Sequence, residues 1–177
     1  MMSYLPLYLK SQHLNAILDN MVHGMVGFFS WAVVIGMQLK CKDILQCILC
    51  LLLACLVDVD HFLAAGSLRL KDALSLPARP PFHATTIIPV ITAFLYIISM
   101  LFPVQSNIYL ICFTFFIAWT SHHIRDSTRR GLWLPPFGST PSLPYTLYIC
   151  LILILPLLVR IIFILRETPI RHHIHTI

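Results

Sequence analysis

The chain has 177 residues, 58% of them hydrophobic and 11% charged, with a mean hydropathy of +0.84. A soluble domain is roughly 45–50% apolar, so this balance excludes one and predicts a single all-α integral membrane domain over 1–177, a multi-pass helical bundle. Twelve basic residues against seven acidic ones give a net charge of +5; in a membrane protein that excess is a topology signal, and no nucleic-acid partner is expected.

Five apolar stretches approach the ~20 residues needed to cross hydrocarbon, at about 17–39, 44–64, 84–104, 107–124 and 144–165. Ahead of the first, "YLPLYL" is too short for a signal-peptide core, and no small-residue cleavage site follows it. The first stretch opens with Asp19 and His23. The second holds Cys47 and Cys50, whose thiols should behave as small hydrophobes in hydrocarbon, and ends in "VDVDHF", with Asp58, Asp60 and His61. The link "GSLRLKDALSLPARPPFH" carries Arg79 and leads through His83 into the third stretch. The fourth ends in "SHHIRD", with His122, His123, Arg125 and Asp126, followed by the proline-rich "RRGLWLPPFGSTPSLP". Pro89, Pro103 and Pro156 are tolerable in membrane helices. The histidines of the tail "RHHIHTI" read as incidental.

With five crossings, the N-terminal side carries seven basic residues: Lys10, Arg69, Lys71, Arg79, Arg125, Arg129 and Arg130. The other side carries four: Lys40, Lys42, Arg166 and Arg171, with Arg160 inside the last stretch. This asymmetry predicts a cytoplasmic N-terminus. The same alternation brings the start of helix 1, the end of helix 2, the start of helix 3 and the end of helix 4 to one membrane face. A charged side chain at a helix centre costs roughly 2.5–3.5 kcal/mol on insertion scales, so ionisable groups gathered at one face predict a shared site. Asp19/His23 and His122/Asp126 are i,i+4 pairs and Asp58/His61 is i,i+3, each on one helix face; Asp60 should point about a third of a turn away. Imidazole with carboxylate suits a divalent ion such as zinc, manganese or iron(II). The candidate ligands are His23, Asp58, Asp60, His61, His83, His122 and Asp126.

These residues carry a resemblance. His23, "DVDH" (58–61), "RPPFH" (79–83) and "SHHIRDSTRRGLWLPPFG" (121–138) are similar to the bacterial membrane-bound metal-dependent hydrolase family regulated by LexA. "DNMVHGMVGFFSWAVV", "VDVDHFLAAGSL", "LPARPPFH", "AWTSHHIRD" and "GLWLPPFGSTPSLP" resemble more closely the animal transmembrane protein 267 family, over about 15–150. The bacterial pattern implies His23, Asp58, Asp60, His61, Arg79, His83, His122 and Asp126 as site residues, with His122 rather than His123 as the ligand. Phe82 departs from it, because threonine usually stands there.

The expected function is metal-dependent hydrolysis of a lipid or membrane-associated ester or phosphoester. Asp58 or Asp126 would act as general base, and Arg79 or Arg125 would steady negative charge. Two alternatives stand beside it. A noncatalytic membrane scaffold would use the polar cluster for stability. A metal or proton transporter should carry polar groups through to the far face, where helices 2–4 are nearly free of charge.

Overall fold

In a computed structural model the chain is helical, and the residues it describes are 5–101 and 107–174, with side chains at 12–101 and 109–165. The link at 104–106, Pro103 and the side chains of the tail histidines lie outside the described residues. The helices are α1 (Leu5–Ile35), α2 (Cys41–Leu56), α3 (Val59–Ala65), α4 (Leu70–Leu74), α5 (Ile87–Leu101), α6 (Asn107–Arg130) and α7 (Tyr145–Ile174). Among the described residues the only strand-like pairings are isolated bridges of Trp133 with Ala84 and with Ser139.

Among the described residues three segments are long and apolar enough to cross a membrane: Gln12–Ile35, Cys41–Ala65 and Tyr145–Leu165. Their outward faces are rich in exposed Leu, Ile, Val and Phe, which implies contact with a lipid bilayer. The expected third and fourth spans differ from this set. Helix α5 is apolar and is described over Ile87–Leu101. It starts at 87 rather than 84 because the residues before it are held in a short 3-10 turn, Pro81–His83, and a bridge to Trp133; 102–104 of the expected span lie outside the described residues. Helix α6 runs six residues past the expected end at 124, and its last two turns are charged. Helix α1 starts well before residue 17; at 31 residues it is about 46 Å long, against roughly 30 Å of hydrocarbon. It stops at Ile35 rather than 39 because Gly36 takes a left-handed φ of 61°.

The polar helix α6 is the centre of the packing, touched by α1, α2, α5 and α7. The main core joins Trp31 and Val34 of α1, Cys47, Cys50 and Ala54 of α2, Ile117 and Ala118 of α6, and Val159 and Phe163 of α7. A helix with hydroxyls can be buried like this if each finds an internal acceptor. Here Thr114, Ser121, Ser127 and Thr128 donate to carbonyls three or four residues back, at 2.6–3.1 Å. Arg160 of α7 is accommodated in the same way. Its Nη1 donates to the Val33 carbonyl at 2.7 Å, placing a cation at the negative end of α1.

Small residues let α1 approach α2 closely. A Cβ on Gly24 would meet Cys55 Sγ at 2.7 Å, and one on Gly27 would meet the Ala54 Cβ at 3.0 Å and the Cys50 carbonyl at 3.3 Å. Gly27→Leu must therefore push the helices apart, at about 1–3 kcal/mol for an overpacked interface. The expected result is a lower thermal-unfolding midpoint in detergent; an unchanged midpoint would mean the helices are not in contact there.

Candidate metal centre

The second span does not run straight into its acids. Helix α2 stops at Leu56, and the amides of Asp60 and His61 reach back only three residues, to the carbonyls of Val57 and Asp58. This break turns both aspartates inward, so Asp60 does not point away as an unbroken helix would have it. It is 1% exposed, while Asp58 is 29% exposed toward a cavity.

The segment 79–85 has no long helix to position it and is held by its backbone. Phe82 N–H donates to Asp60 Oδ2 at 2.6 Å. Its carbonyl accepts from Trp119 Nε1 at 3.3 Å and His123 Nε2 at 2.9 Å. Thr85 N–H donates to the Trp133 carbonyl at 2.8 Å. Because position 82 acts through its backbone, the missing threonine is of little consequence; the Phe82 ring packs edge-on against Trp119 instead. His83 follows, with Nδ1 toward Asp60 and Nε2 toward both Asp58 and Asp126. Nδ1 lies 3.3 Å from Asp60 Oδ1, and Nε2 lies 3.5 Å from Asp58 Oδ1 and 3.3 Å from Asp126 Oδ2.

His122 is fully buried, and its Nδ1 is 2.9 Å from the Ala54 carbonyl. A carbonyl only accepts, so Nδ1 carries a proton that it donates there. In the neutral ring Nε2 is then a lone pair, and it faces Asp58 Oδ1 at 3.6 Å and Asp126 Oδ2 at 3.5 Å. Four acceptor atoms, from Asp58, His83, His122 and Asp126, thus lie within 4.8 Å of one another. Ligands about 2.1 Å from a tetrahedral ion stand about 3.4 Å apart, and the four His–Asp separations in the group run from 3.3 to 3.6 Å. Among the described residues the buried Nε2 atoms of His83 and His122 have no hydrogen-bond partner. A proton on His83 Nε2 would face these carboxylates favourably, whereas the His122 Nε2 lone pair repels them unless a cation lies between. The donor set, two imidazoles and two carboxylates, could hold a divalent ion.

Asp60, His61 and His83 form a second group, in which His61 Nδ1 is 3.3 Å from Asp60 Oδ1. His23 joins neither group. It is stacked on His122, with ring centroids 3.9 Å apart, and its Nε2 is 3.3 Å from the other oxygen of Asp126. Both nitrogens of His123 are engaged, Nε2 by Phe82 and Nδ1 by the Thr85 hydroxyl at 2.9 Å. Arg125 donates to Asp19 Oδ1 at 2.6 Å, and Arg129 donates to the same oxygen. Asp19 is therefore an ion-pair partner more than a companion of His23, from which it lies 3.9 Å away. Arg79 donates from Nη1 to the Gly131 carbonyl at 3.0 Å and from Nη2 to that of Arg130, closing the C-terminal end of α6.

Sequence spacing missed the Ala54 carbonyl, the backbone locks at Phe82 and the Asp19 pairing. The first two use main-chain atoms, which residue identity does not reveal. The pairing joins residues more than a hundred positions apart.

The charges at the site compete for protons. Burial pushes the His83 pKa down, but the carboxylates of Asp126, Asp58 and Asp60 outweigh it and hold it raised to about 11. A divalent ion at Nε2 must displace that proton. Cation affinity should therefore fall about tenfold per unit as pH drops. In ion-free protein the sign is opposite: a raised folded pKa contributes stability that is complete below ~6.5 and lost as pH rises through about 11. The thermal shift produced by added zinc or manganese should thus widen from pH 6.5 to 8.5. A shift independent of pH would show that His83 is not displaced from a proton.

No protein-family model matches the chain, and no solved structure matches it. It is 44% identical to transmembrane protein 267 of Bos taurus over 151 residues, covering 85% of this chain and 70% of the relative. Against transmembrane protein 267 of Mus musculus it is 42% identical over 163 residues, 92% of this chain and 75% of the relative. The corresponding protein of Xenopus laevis is 40% identical over 166 residues, 92% of this chain and 77% of the relative.

Proposed function

The chain belongs to the transmembrane protein 267 family and is an integral multi-pass membrane protein, and on that footing we propose that it is a metal-dependent hydrolase acting on an ester or phosphoester presented at the membrane. The observation that carries this reading is the four-atom group of Asp58, His83, His122 and Asp126, at mutual spacings suited to one ion and open to a cavity. Five crossings, with α5 and α6 as the third and fourth, place that group at the N-terminal face, on the cytoplasmic side.

In this reading Asp58 Oδ1, His83 Nε2, His122 Nε2 and Asp126 Oδ2 are the ligands. A divalent ion there, when bound, supplies Lewis acidity and a source of hydroxide near neutral pH. The remaining groups orient the ligands. The Ala54 carbonyl fixes the His122 tautomer, Asp60 accepts from His83 Nδ1, and His23 steadies the second oxygen of Asp126. Every ion contact of Asp58 among the described residues runs through Oδ1, which leaves Oδ2 to take a proton from water as general base. Arg79 lines the same cavity and is the cation placed to steady negative charge on the scissile group. Asp19 already neutralises Arg125, which makes it the poorer choice.

Protein purified in detergent without chelator should contain one zinc or manganese per chain and hydrolyse an activated ester or phosphoester in mixed micelles. A chelator should abolish turnover, and one equivalent of metal should restore it. Turnover that survives complete metal removal would overturn the reading.

A further inference from the structure

A cavity of about 530 Å³ opens beside the four-atom group, within the roughly 300–1,000 Å³ typical of ligand sites. Its lining is mixed in chemistry. His and Asp side chains line it together with Arg79, Arg129 and Arg130, and its apolar lining includes Met21 of α1, Phe62 of α3, and Leu68, Leu70 and Leu74 around α4. Leu68 and Leu74 are 92% and 55% exposed, which suits contact with hydrocarbon better than contact with water.

The charges are not balanced within the wall. Asp19 takes up Arg125 and Arg129, while Asp58 and Asp126 face the histidines. Among the described residues Arg79 donates to backbone carbonyls and makes no ion pair, so its guanidinium is fixed without a bonded carboxylate. No ion pair joins Arg130 to a carboxylate among the described residues. Burial and the neighbouring Arg130 charge lower the Arg79 pKa against the opposing pull of Asp126. An anion with several acceptor oxygens would relieve that repulsion, and arginine matches phosphate geometry.

We propose that this cavity is a lipid-phosphate site, with Arg79 and Arg130 holding the phosphate and Met21, Phe62, Leu68, Leu70 and Leu74 taking the acyl chain. It rests on the metal-site reading only for the claim that the bound phosphoester is turned over; the arginine pair and the apolar lining define the ligand class alone. The anionic group sits between two cations and the ion-binding face, and the chain leaves toward the bilayer along α4.

The test is binding to detergent-purified full-length protein of three probes: a radiolabelled single-chain lipid phosphate, the matching uncharged monoacylglycerol, and inorganic phosphate. Each is measured on wild type and on Arg130→Gln, with metal content read on the same samples. A charge-assisted hydrogen bond contributes about 1.5–3 kcal/mol, so the lipid phosphate should bind at least about tenfold tighter than the neutral lipid, and Arg130→Gln should remove about tenfold. Neutral-lipid binding and metal content should not change in the variant. Arg79→Lys, which retains charge but not the fork, should weaken the lipid phosphate selectively. Equal affinity for the charged and neutral lipids, or Arg130→Gln within twofold of wild type, overturns the proposal. Inorganic phosphate binding as tightly as the lipid phosphate overturns the acyl-chain part and leaves a soluble phosphoester as the ligand. Wild type without metal but with full probe discrimination would refute the metal reading and uphold this one.

Discussion

Replacing Asp126 with asparagine is expected to strip the protein of metal while leaving its abundance in the membrane near that of wild type. Asp126 meets His83 and His122 through Oδ2 and His23 through Oδ1, at 3.3–3.5 Å, so three rings take their orientation from one carboxylate. An amide keeps the size and removes the charge on which divalent ligation depends. Metal content should drop from one ion per chain to less than about a tenth, at concentrations that saturate wild type. Asp60→Asn makes an informative contrast. Asp60 meets the far nitrogen of His83 and the Phe82 amide, so it acts on the ligand rather than on the ion. Affinity should weaken by roughly 10–100-fold without vanishing at saturating metal. Elemental analysis of the two variants after titration checks both; equal loss would move Asp60 into the ligand set.

The second large effect is structural. Gly131→Ala should lower stability by roughly 3 kcal/mol or more, a size that single substitutions reach only through a specific clash or strained backbone. Gly131 has a φ of 69°, unfavourable for any residue with a Cβ. A Cβ there would also fall 1.9 Å from the Thr140 carbonyl oxygen. That atom is main chain and cannot rotate away, so the loop itself must shift. The Gly131 carbonyl holds Arg79, and the loop beyond it supplies the Trp133 carbonyl that fixes Thr85. The expected results are a lower unfolding midpoint and weaker metal binding together. Wild-type behaviour in both would mean the loop takes another path.

Much of the architecture is legible in residue order because hydropathy is a property of side chains. The long apolar runs appear as α1, the pair α2 and α3, and α7, though α1 extends further toward the N-terminus than hydropathy indicates. Gathering His23, Asp58, Asp60, His61, His83, His122 and Asp126 at one end needed only alternation of direction. What resisted reading was orientation. Helical spacing puts Asp60 about a third of a turn from Asp58 and His61, whereas it is buried among the site residues, and the change at Val57–Asp58 carries no proline or glycine to announce it. The i,i+4 spacing to Asp126 and the bacterial pattern favour His122 over His123, and the Thr85 hydroxyl and the Phe82 carbonyl, which engage both ring nitrogens of His123, agree with that choice. The fourth stretch, expected to end at 124, continues as α6 to Arg130, and several of its hydroxyls donate to carbonyls of the same helix.

The site also has a history along the chain. Its ligands begin at Asp58 and end at Asp126, and the carbonyl that orients His122 lies 68 residues before it. A ribosome adds about 5–20 residues each second, so the two aspartates following α2 wait several seconds for histidines and a carboxylate not yet made. During that interval they are uncompensated charges near the bilayer, which favours leaving α3 and the 66–86 link in the aqueous headgroup layer. Only when α6 enters among its neighbours can the acids be drawn inward. On the proposed metal reading, cation capture is a late event of biogenesis, and a chain interrupted before residue 122 would lack two of the four candidate ligands.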